Sequence, residues 1–259
     1  MSKTDERPGR PHAASEPDQL NPRFRSQRRV LLCSVFGPYA QDDEYGGRAI
    51  NPMELYHNQV TRVQGPFSLR MFHRSWGLMF IQANLAAPCT LLDFPILERF
   101  VEEIRHNEYD VVGISSITTN VLRVGKMCEL VRRYLPDATI VVGGHVANLP
   151  DVDQRLDADH VVRGEGIRWF RRFLGEDEHR PIRHPITPAR VGTRNFGIPI
   201  RERPGDVAAT LVPSVGCPVG CNFCATSAMF GGKGKFVDFY RTGDEQFDLM
   251  CQLEEAMKT

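Results

Sequence analysis

The chain has 259 residues, and its 32 Lys and Arg balance 32 Asp and Glu. A net charge of zero gives no basic surface for nucleic acid or an anionic membrane, and no apolar run approaches the ~20 residues of a membrane span. The first residues lack the apolar core of a secretory signal, so the expected location is the cytoplasm, in a globular protein of one or two domains.

Residues 1–27 are rich in Pro, Arg, Ser, Asp and Glu with no apolar period, and read as a disordered tail. The run Val30 to Phe36 predicts a buried strand. A polar loop through Gly46 and Gly47 follows, then a helix start at Asn51-Pro52. Leu78 to Leu85 is a largely apolar run and reads as a second strand. Pro95 to His106 predicts a helix, because Ile96, Leu97, Phe100, Val101 and Ile104 recur at helical spacing.

A clearer alternation follows. Strands are predicted over Asp110–Ser115, Thr139–Val142 and His160–Val162. Helices are predicted over Val121–Leu135, closed by Pro136, and over Ile167–Leu174, whose Trp169, Phe170 and Phe173 read as core. Strands alternating with helices imply crossover connections and a parallel sheet. Residues 28–175 therefore read as a Rossmann-like, doubly wound α/β domain. Residues 176–206, with five prolines and many charges, read as a linker. Ala208–Val212 reads as a strand. Thr242 with Glu245 forms a capping box, opening a last helix with Phe247, Met250, Leu253 and Met257 on one stripe.

Seven cysteines, an odd number at uneven spacing, argue against a disulfide framework. Cys33, Cys89, Cys128 and Cys251 stand among apolar neighbours and read as core. Cys217, Cys221 and Cys224 form C-x3-C-x2-C. Three soft thiolates suit an iron–sulfur cluster with one open iron, and Gly216 and Gly220 let the loop turn tightly. Structural zinc is the competing reading, but it takes four ligands, and no fourth lies close by in sequence.

This segment, Gly216-Cys217-Pro218-Val219-Gly220-Cys221-Asn222-Phe223-Cys224, resembles the cluster loop of the radical S-adenosylmethionine enzymes, which follows the first strand of a partial (β/α) barrel. The resemblance implies that Cys217, Cys221 and Cys224 ligate a [4Fe-4S] cluster. It implies that Phe223 lies against the adenine of S-adenosylmethionine, and that the reduced cluster cleaves that cofactor to a 5′-deoxyadenosyl radical. A small-molecule substrate and a reductant such as flavodoxin or ferredoxin are implied with it.

The order Val-Gly-Ile-Ser-Ser, helix, Val-Val-Gly-Gly-His, then Val-Arg-Gly-Glu-Gly resembles the cobalamin-binding domain that precedes the radical domain in one branch of that family. In open α/β sheets, ligands sit outside the carboxyl ends of the strands. The resemblance places the nucleotide tail of cobalamin against Ser115, Ser116 and Thr118, against Gly143, Gly144 and His145, and against Gly164, Glu165 and Gly166. The Asp-x-His-x-x-Gly loop that supplies a cobalt ligand in other cobalamin proteins is absent: the first strand runs into Ser-Val-Phe-Gly-Pro-Tyr. Each position also has a plainer reading. His145 caps a turn, the Gly164–Gly166 stretch is a strand-to-helix turn with an acidic helix start, and the serines bond local backbone. Gly-Gly-Lys-Gly-Lys at 231–235 lacks the phosphate-loop spacing and carries no nucleotide site.

Residues 207–259 hold only the first β/α unit of a partial barrel. The expectation is an incomplete enzyme that methylates or rearranges an unidentified substrate and turns over little as this chain alone. A non-catalytic cobalamin or ligand-binding module and a zinc-stabilised interaction protein are the alternatives.

Overall fold

The computed structural model describes residues 28–37, 44–45, 67–69, 74–190, 193–195, 198–199 and 207–258. The tail reading of 1–27, the Gly46–Gly47 loop and the helix start at Asn51-Pro52 lie outside the described residues.

Five strands form one parallel sheet: β1 (Val30–Ser34), β2 (Cys89–Leu92), β3 (Val111–Ser115), β4 (Thr139–Gly143) and β5 (His160–Val161). Their spatial order is β2-β1-β3-β4-β5, with Val30 opposite both Cys89 and Val111, and Ser115 opposite Gly143. The order is that of a flavodoxin-like doubly wound sheet, whose ligand crevice opens where the chain leaves β1 for either side. The Rossmann-like α/β fold expected from the alternation is therefore the fold observed.

Side chains alternate across the sheet with period two. Leu31, Cys33, Val112, Ile114, Ile140 and Val142 enter one core with helices α2 (Leu97–His106) and α3 (Val121–Tyr134). Val30, Leu32, Val111 and Val141 enter a second core with α1 (Trp76–Asn84) and α5 (Gly166–Leu174). A short helix α4 (Val152–Arg155) adds Val152 to the first core. Gly113 stands at the tightest point of the second core. A Cβ there would lie 2.7 Å from Leu32 Cδ2 and 3.0 Å from Phe170 Cζ.

One element differs in kind from its expectation. Leu78–Leu85 is not a strand; Leu78–Asn84 belongs to α1 and Leu85 caps its end. An apolar run of this length fits a buried strand or a buried helix equally. The burial decides: Leu78 and Ile81, and Phe80 and Asn84, are pairs three and four residues apart on one face. The strand of this region is β2, which begins further on at Cys89.

After α5, residues 176–188 form neither helix nor strand up to Ala189, yet they are tied to the sheet domain. Arg171 has no exposed surface. Its guanidinium donates to Asn84 O at 2.9 Å, Asn84 Oδ1 at 3.0 Å, Pro181 O at 3.3 Å and Arg180 O. The Glu176 carboxylate accepts the N–H groups of Ala86 and Ala87 at 2.9 and 3.0 Å.

Two further strands, β6 (Ser214–Gly216) and β7 (Phe236–Asp238), flank the cysteine loop and pair antiparallel. The expected strand over Ala208–Val212 is thus displaced. Only Val207–Ala208 is extended there, paired with Ala189–Arg190, and the strand entering the cysteine loop is β6. A five-residue helix α6 (Ala225–Met229) follows the third cysteine.

The last helix, α7 (Gly243–Lys258), starts as expected: Glu245 N–H donates to Thr242 Oγ1 at 3.2 Å and Thr242 N–H to the Glu245 carboxylate at 3.1 Å. Its apolar stripe is offset. Leu249 and Leu253 are buried, whereas Phe247 and Met250 are exposed, and Cys251 is exposed rather than in the core. Thr242→Ala removes one side of the capping box and is expected to lower stability in urea unfolding by about 1 kcal/mol, with Thr242→Ser near wild type.

Candidate functional site

A cavity of about 380 Å³ opens over the carboxyl ends of the sheet strands. Its floor is Leu32 of β1, Gly113 and Ser115 of β3, and Val141 and Gly143 of β4. One wall is Trp76, Leu78, Phe80 and Ile81 of α1; the other is Ile167 and Phe170 of α5. Its roof is built by Val212, Ser214, Val215 and Gly216 before the cysteines, and by Thr226, Met229, Phe230 and Phe239 after them. The volume and the apolar lining with few polar groups are those of a small-molecule site.

Seven of the expected loop residues come together here: Ser115, Gly143, Gly144, His145, Gly164, Glu165 and Gly166. Gly144 sets the lip. Its φ of 80° and ψ of −165° belong to glycine alone. A Cβ there would meet Ser115 Oγ and Ser116 O, each at 2.7 Å. The close approach lets Val146 N–H donate to Ser116 O at 3.0 Å, turning the chain into the short 3₁₀ segment His145–Asn148.

His145 lines the cavity, and its Nδ1 is buried without a protein partner. Burial pushes its pKa below the ordinary 6.5, so the ring is neutral at pH 7 and keeps a nitrogen for a ligand. Glu165 lines the cavity, but its carboxylate caps α5, accepting Arg168 N–H at 3.1 Å and Ile167 N–H. Its acidic side chain therefore serves the helix start, the plainer of its two readings.

Ser116 and Thr118 lie off the cavity lining. The chain turns away after Ser115. The Ser116 backbone holds the Gly144 turn, and Thr118 opens a 3₁₀ segment, Thr118–Asn120. The wall of α1 was hidden by its strand-like composition. The roof residues carried no signal, because β6 and β7 come together only across the whole cysteine loop.

That loop is bent by glycines at both expected places. Gly216 has φ of 96° and Gly220 has φ of 65°, and a Cβ at Gly220 would lie 2.5 Å from Lys233 Cα. Gly231–Lys235 therefore packs directly on the cysteine loop, and Cys217 N–H donates to Lys235 O at 3.3 Å.

The thiols differ sharply in character. Burial pushes Cys89 and Cys128 up to about 12 and Cys33 well above its usual value, so these keep their protons. Cys224 is lowered, because it precedes α6 and the N–H groups of Ser227 and Thr226 point at its sulfur. A thiolate-forming cysteine at a helix start is the soft anionic donor a metal requires. Among the described residues, no three His, Cys, Asp or Glu side chains are gathered closely enough to hold a metal ion. The donor chemistry thus fits an iron–sulfur cluster, while Cys217, Cys221 and Cys224 are not drawn together in the chain alone. Phe223 is 93% exposed and does not line the cavity. No helix among the described residues is long and apolar enough to cross a membrane.

The chain is 24% identical over 204 residues to bacteriochlorophyllide d C-8(2)-methyltransferase of Chlorobaculum tepidum, an alignment covering 73% of this chain and 42% of that protein. It is 29% identical over 83 residues to an uncharacterized protein of Methanocaldococcus jannaschii, covering 32% of this chain and 16% of that one. The chain thus spans less than half the length of these curated relatives. The stretch that supplies both walls and most of the floor of the cavity, residues 70–174, matches the family model of the B12 binding domain.

Proposed function

We propose that the chain binds cobalamin in the cavity and works with S-adenosylmethionine at a [4Fe-4S] cluster on Cys217, Cys221 and Cys224, in a methyl transfer. The observation that carries this reading is the shared boundary of the two parts. The glycine-lined ends of β3, β4 and β5 form one side of the cavity, and the residues flanking the cysteine loop form the other. A cofactor seated in the first part faces the second. The name of the Chlorobaculum relative supports methyl transfer as the reaction class.

The cavity fits the apolar heterocycle of a nucleotide tail, with Gly143, Gly144 and Gly164 letting a bulky group approach the backbone and His145 Nδ1 free to bond it. Ser115 lies at the same lip. The Asp-x-His-x-x-Gly motif that supplies a cobalt ligand elsewhere is absent after the first strand, so the protein would hold the corrin through its tail and its rim. Cys224 supplies the readiest thiolate of the cluster loop, and Gly216 and Gly220 let Cys217 and Cys221 turn toward it. The cavity residues would hold cobalamin and Cys217, Cys221 and Cys224 the cluster, which together would supply methyl-group transfer and reductive cleavage of S-adenosylmethionine. The protein orients both and excludes water. Phe223 would lie against the adenine, and a reductant such as flavodoxin or ferredoxin would deliver the electron.

Two measurements test this. Anaerobic reconstitution with iron and sulfide is expected to give roughly four of each per chain and a broad visible absorbance, lost in Cys217→Ala, Cys221→Ala or Cys224→Ala. One colourless zinc per chain would instead support a zinc-stabilised fold. Cyanocobalamin is expected to quench tryptophan fluorescence at Trp76 on the cavity wall. Absence of binding with a normal cluster would leave only the radical half of the proposal.

A further inference from the structure

His184 lies in the segment between α5 and the cysteine loop and takes no part in the chemistry above. It is 6% exposed, and both ring nitrogens are committed. Nδ1 is 2.9 Å from Pro185 O. A carbonyl only accepts, so Nδ1 carries the proton. Nε2 then accepts Val212 N–H at 3.0 Å. The backbone N–H of His184 donates to Tyr240 Oη at 2.7 Å. The ring packs edge-on against Phe80 at 4.9 Å and lies 6.0 Å from Trp76.

These partners belong to different parts of the cavity. Trp76 and Phe80 are its wall, and Val212 begins its roof. Pro213 O, next to Val212, accepts the N–H groups of Phe239 and Tyr240 at 2.9 and 3.2 Å, so the two arms flanking the cysteine loop move with Val212. One neutral imidazole therefore joins the wall to the Val212 edge of the roof and, through Pro213, to Phe239.

We propose that His184 is the positioning residue that latches the roof over the cavity, and that its protonation unlatches the roof and weakens ligand retention. A proton on Nε2 would set two donors, N–H and N–H, against each other at Val212. The bond is then lost, and the roof has no other hydrogen bond to the His184 ring. Ionisable residues on the elements around the ring include Arg74 and Asp93 at the start of α1, Arg171 on α5, Arg180 and Arg183 on the same segment, and Tyr240, Arg241 and Glu245 beyond the roof. Burial pushes the His184 pKa below 6.5, and the Pro185 carbonyl pulls it partly back. The latch is therefore closed at pH 7 and above and opens on acidification below 6.5, in the order set by that depressed value. The gating half of the proposal rests on the cavity being the cobalamin site; the latch itself does not.

The test separates the two. Val212 amide exchange, corrected for the intrinsic pH dependence, reads the latch without any ligand. Between pH 7.5 and 5.0 its protection is expected to fall about tenfold, the worth of one hydrogen bond. In a Trp169→Phe background, which removes the other tryptophan, Trp76 fluorescence is expected to drop over the same range as the neighbouring imidazole charges. His184→Gln keeps an acceptor for Val212 and cannot titrate, so both signals should become flat and stay at their pH 7.5 values. His184→Leu should show the open-state exchange at every pH. Wild-type protection that is unchanged down to pH 5.0, or a His184→Gln protein that still titrates, overturns the latch. Cyanocobalamin, whose charge is constant over this range, should bind about tenfold more weakly at pH 5.0 than at 7.5 in the wild type and equally in His184→Gln. A titrating latch with pH-independent cyanocobalamin affinity overturns gating, and a titrating latch with no cyanocobalamin binding at all overturns the cofactor reading alone.

Discussion

Gly144→Val is expected to abolish cyanocobalamin binding and to destabilise the protein by about 3 kcal/mol, while its neighbour Gly143→Ala changes little. The contrast comes from two adjacent glycines in different circumstances. Gly143 ends β4 in ordinary strand conformation, and a Cβ there would meet Val162 O at 3.8 Å, a normal contact. Gly144 has a backbone conformation only glycine holds easily, and its Cβ would overlap Ser115 Oγ and Ser116 O. Any side chain must push the β3 and β4 ends apart. That breaks the Val146 to Ser116 hydrogen bond and moves His145 away from the cavity. The sheet below is untouched, so far-UV circular dichroism should stay native-like while urea unfolding shifts and binding disappears. Gly77→Ala serves as the control on the cavity wall. It sits in α1 with nothing within 4 Å of its Cβ, so it is expected to be neutral or mildly stabilising. Retained cyanocobalamin affinity in Gly144→Val would show that this lip does not touch the ligand.

The same contrast explains which parts of the protein are legible from its residues. The strands β3, β4 and β5 are short apolar runs ended by Ser, Gly-Gly or Arg-Gly, and both their direction and the end that lines the cavity follow from the alternation with helices. The cysteine spacing is local and needs no tertiary knowledge. The α1 run is not legible, because six apolar residues interrupted only by Gln82 and Asn84 show no clear period. Its helical face becomes apparent only from burial on both Leu78–Ile81 and Phe80–Asn84. The roof is illegible for another reason. β6 and β7 are three residues each, too short for a pattern, and pair across a loop whose composition speaks only of metal. His184 sits in a proline-rich stretch that reads as a passive connection. Its partners Val212 and Tyr240 are 28 and 56 residues away, beyond any local signal.

Arg171→Met is expected to cost about 3 kcal/mol in urea unfolding and to release the segment after α5, exposing it to limited proteolysis. Arg171 stands in the run Arg-Trp-Phe-Arg-Arg-Phe, where an arginine ordinarily reads as the solvent side of an amphipathic helix. It is instead fully buried. Burial, then the charge of Arg180, lowers its pKa, yet a guanidinium remains charged throughout the usable pH range. A buried charge survives only when its donors are matched. Here they are matched by neutral acceptors: both oxygens of Asn84 and the carbonyls of Arg180 and Pro181. Methionine fills similar volume but leaves the last two carbonyls without their donor. Asn84 is less affected, since Arg180 Nη2 still reaches its backbone oxygen at 2.6 Å and Arg183 N–H its side-chain oxygen at 2.8 Å. Arg171→Lys retains the charge but not the planar fork, and should recover less than half of the loss. Because the freed carbonyls lie three and four residues before His184, Arg171→Met should also weaken Val212 amide protection at pH 7.5, where the imidazole is neutral. Loss of stability with Val212 protection unchanged would place Arg171 in the core alone and separate it from the roof.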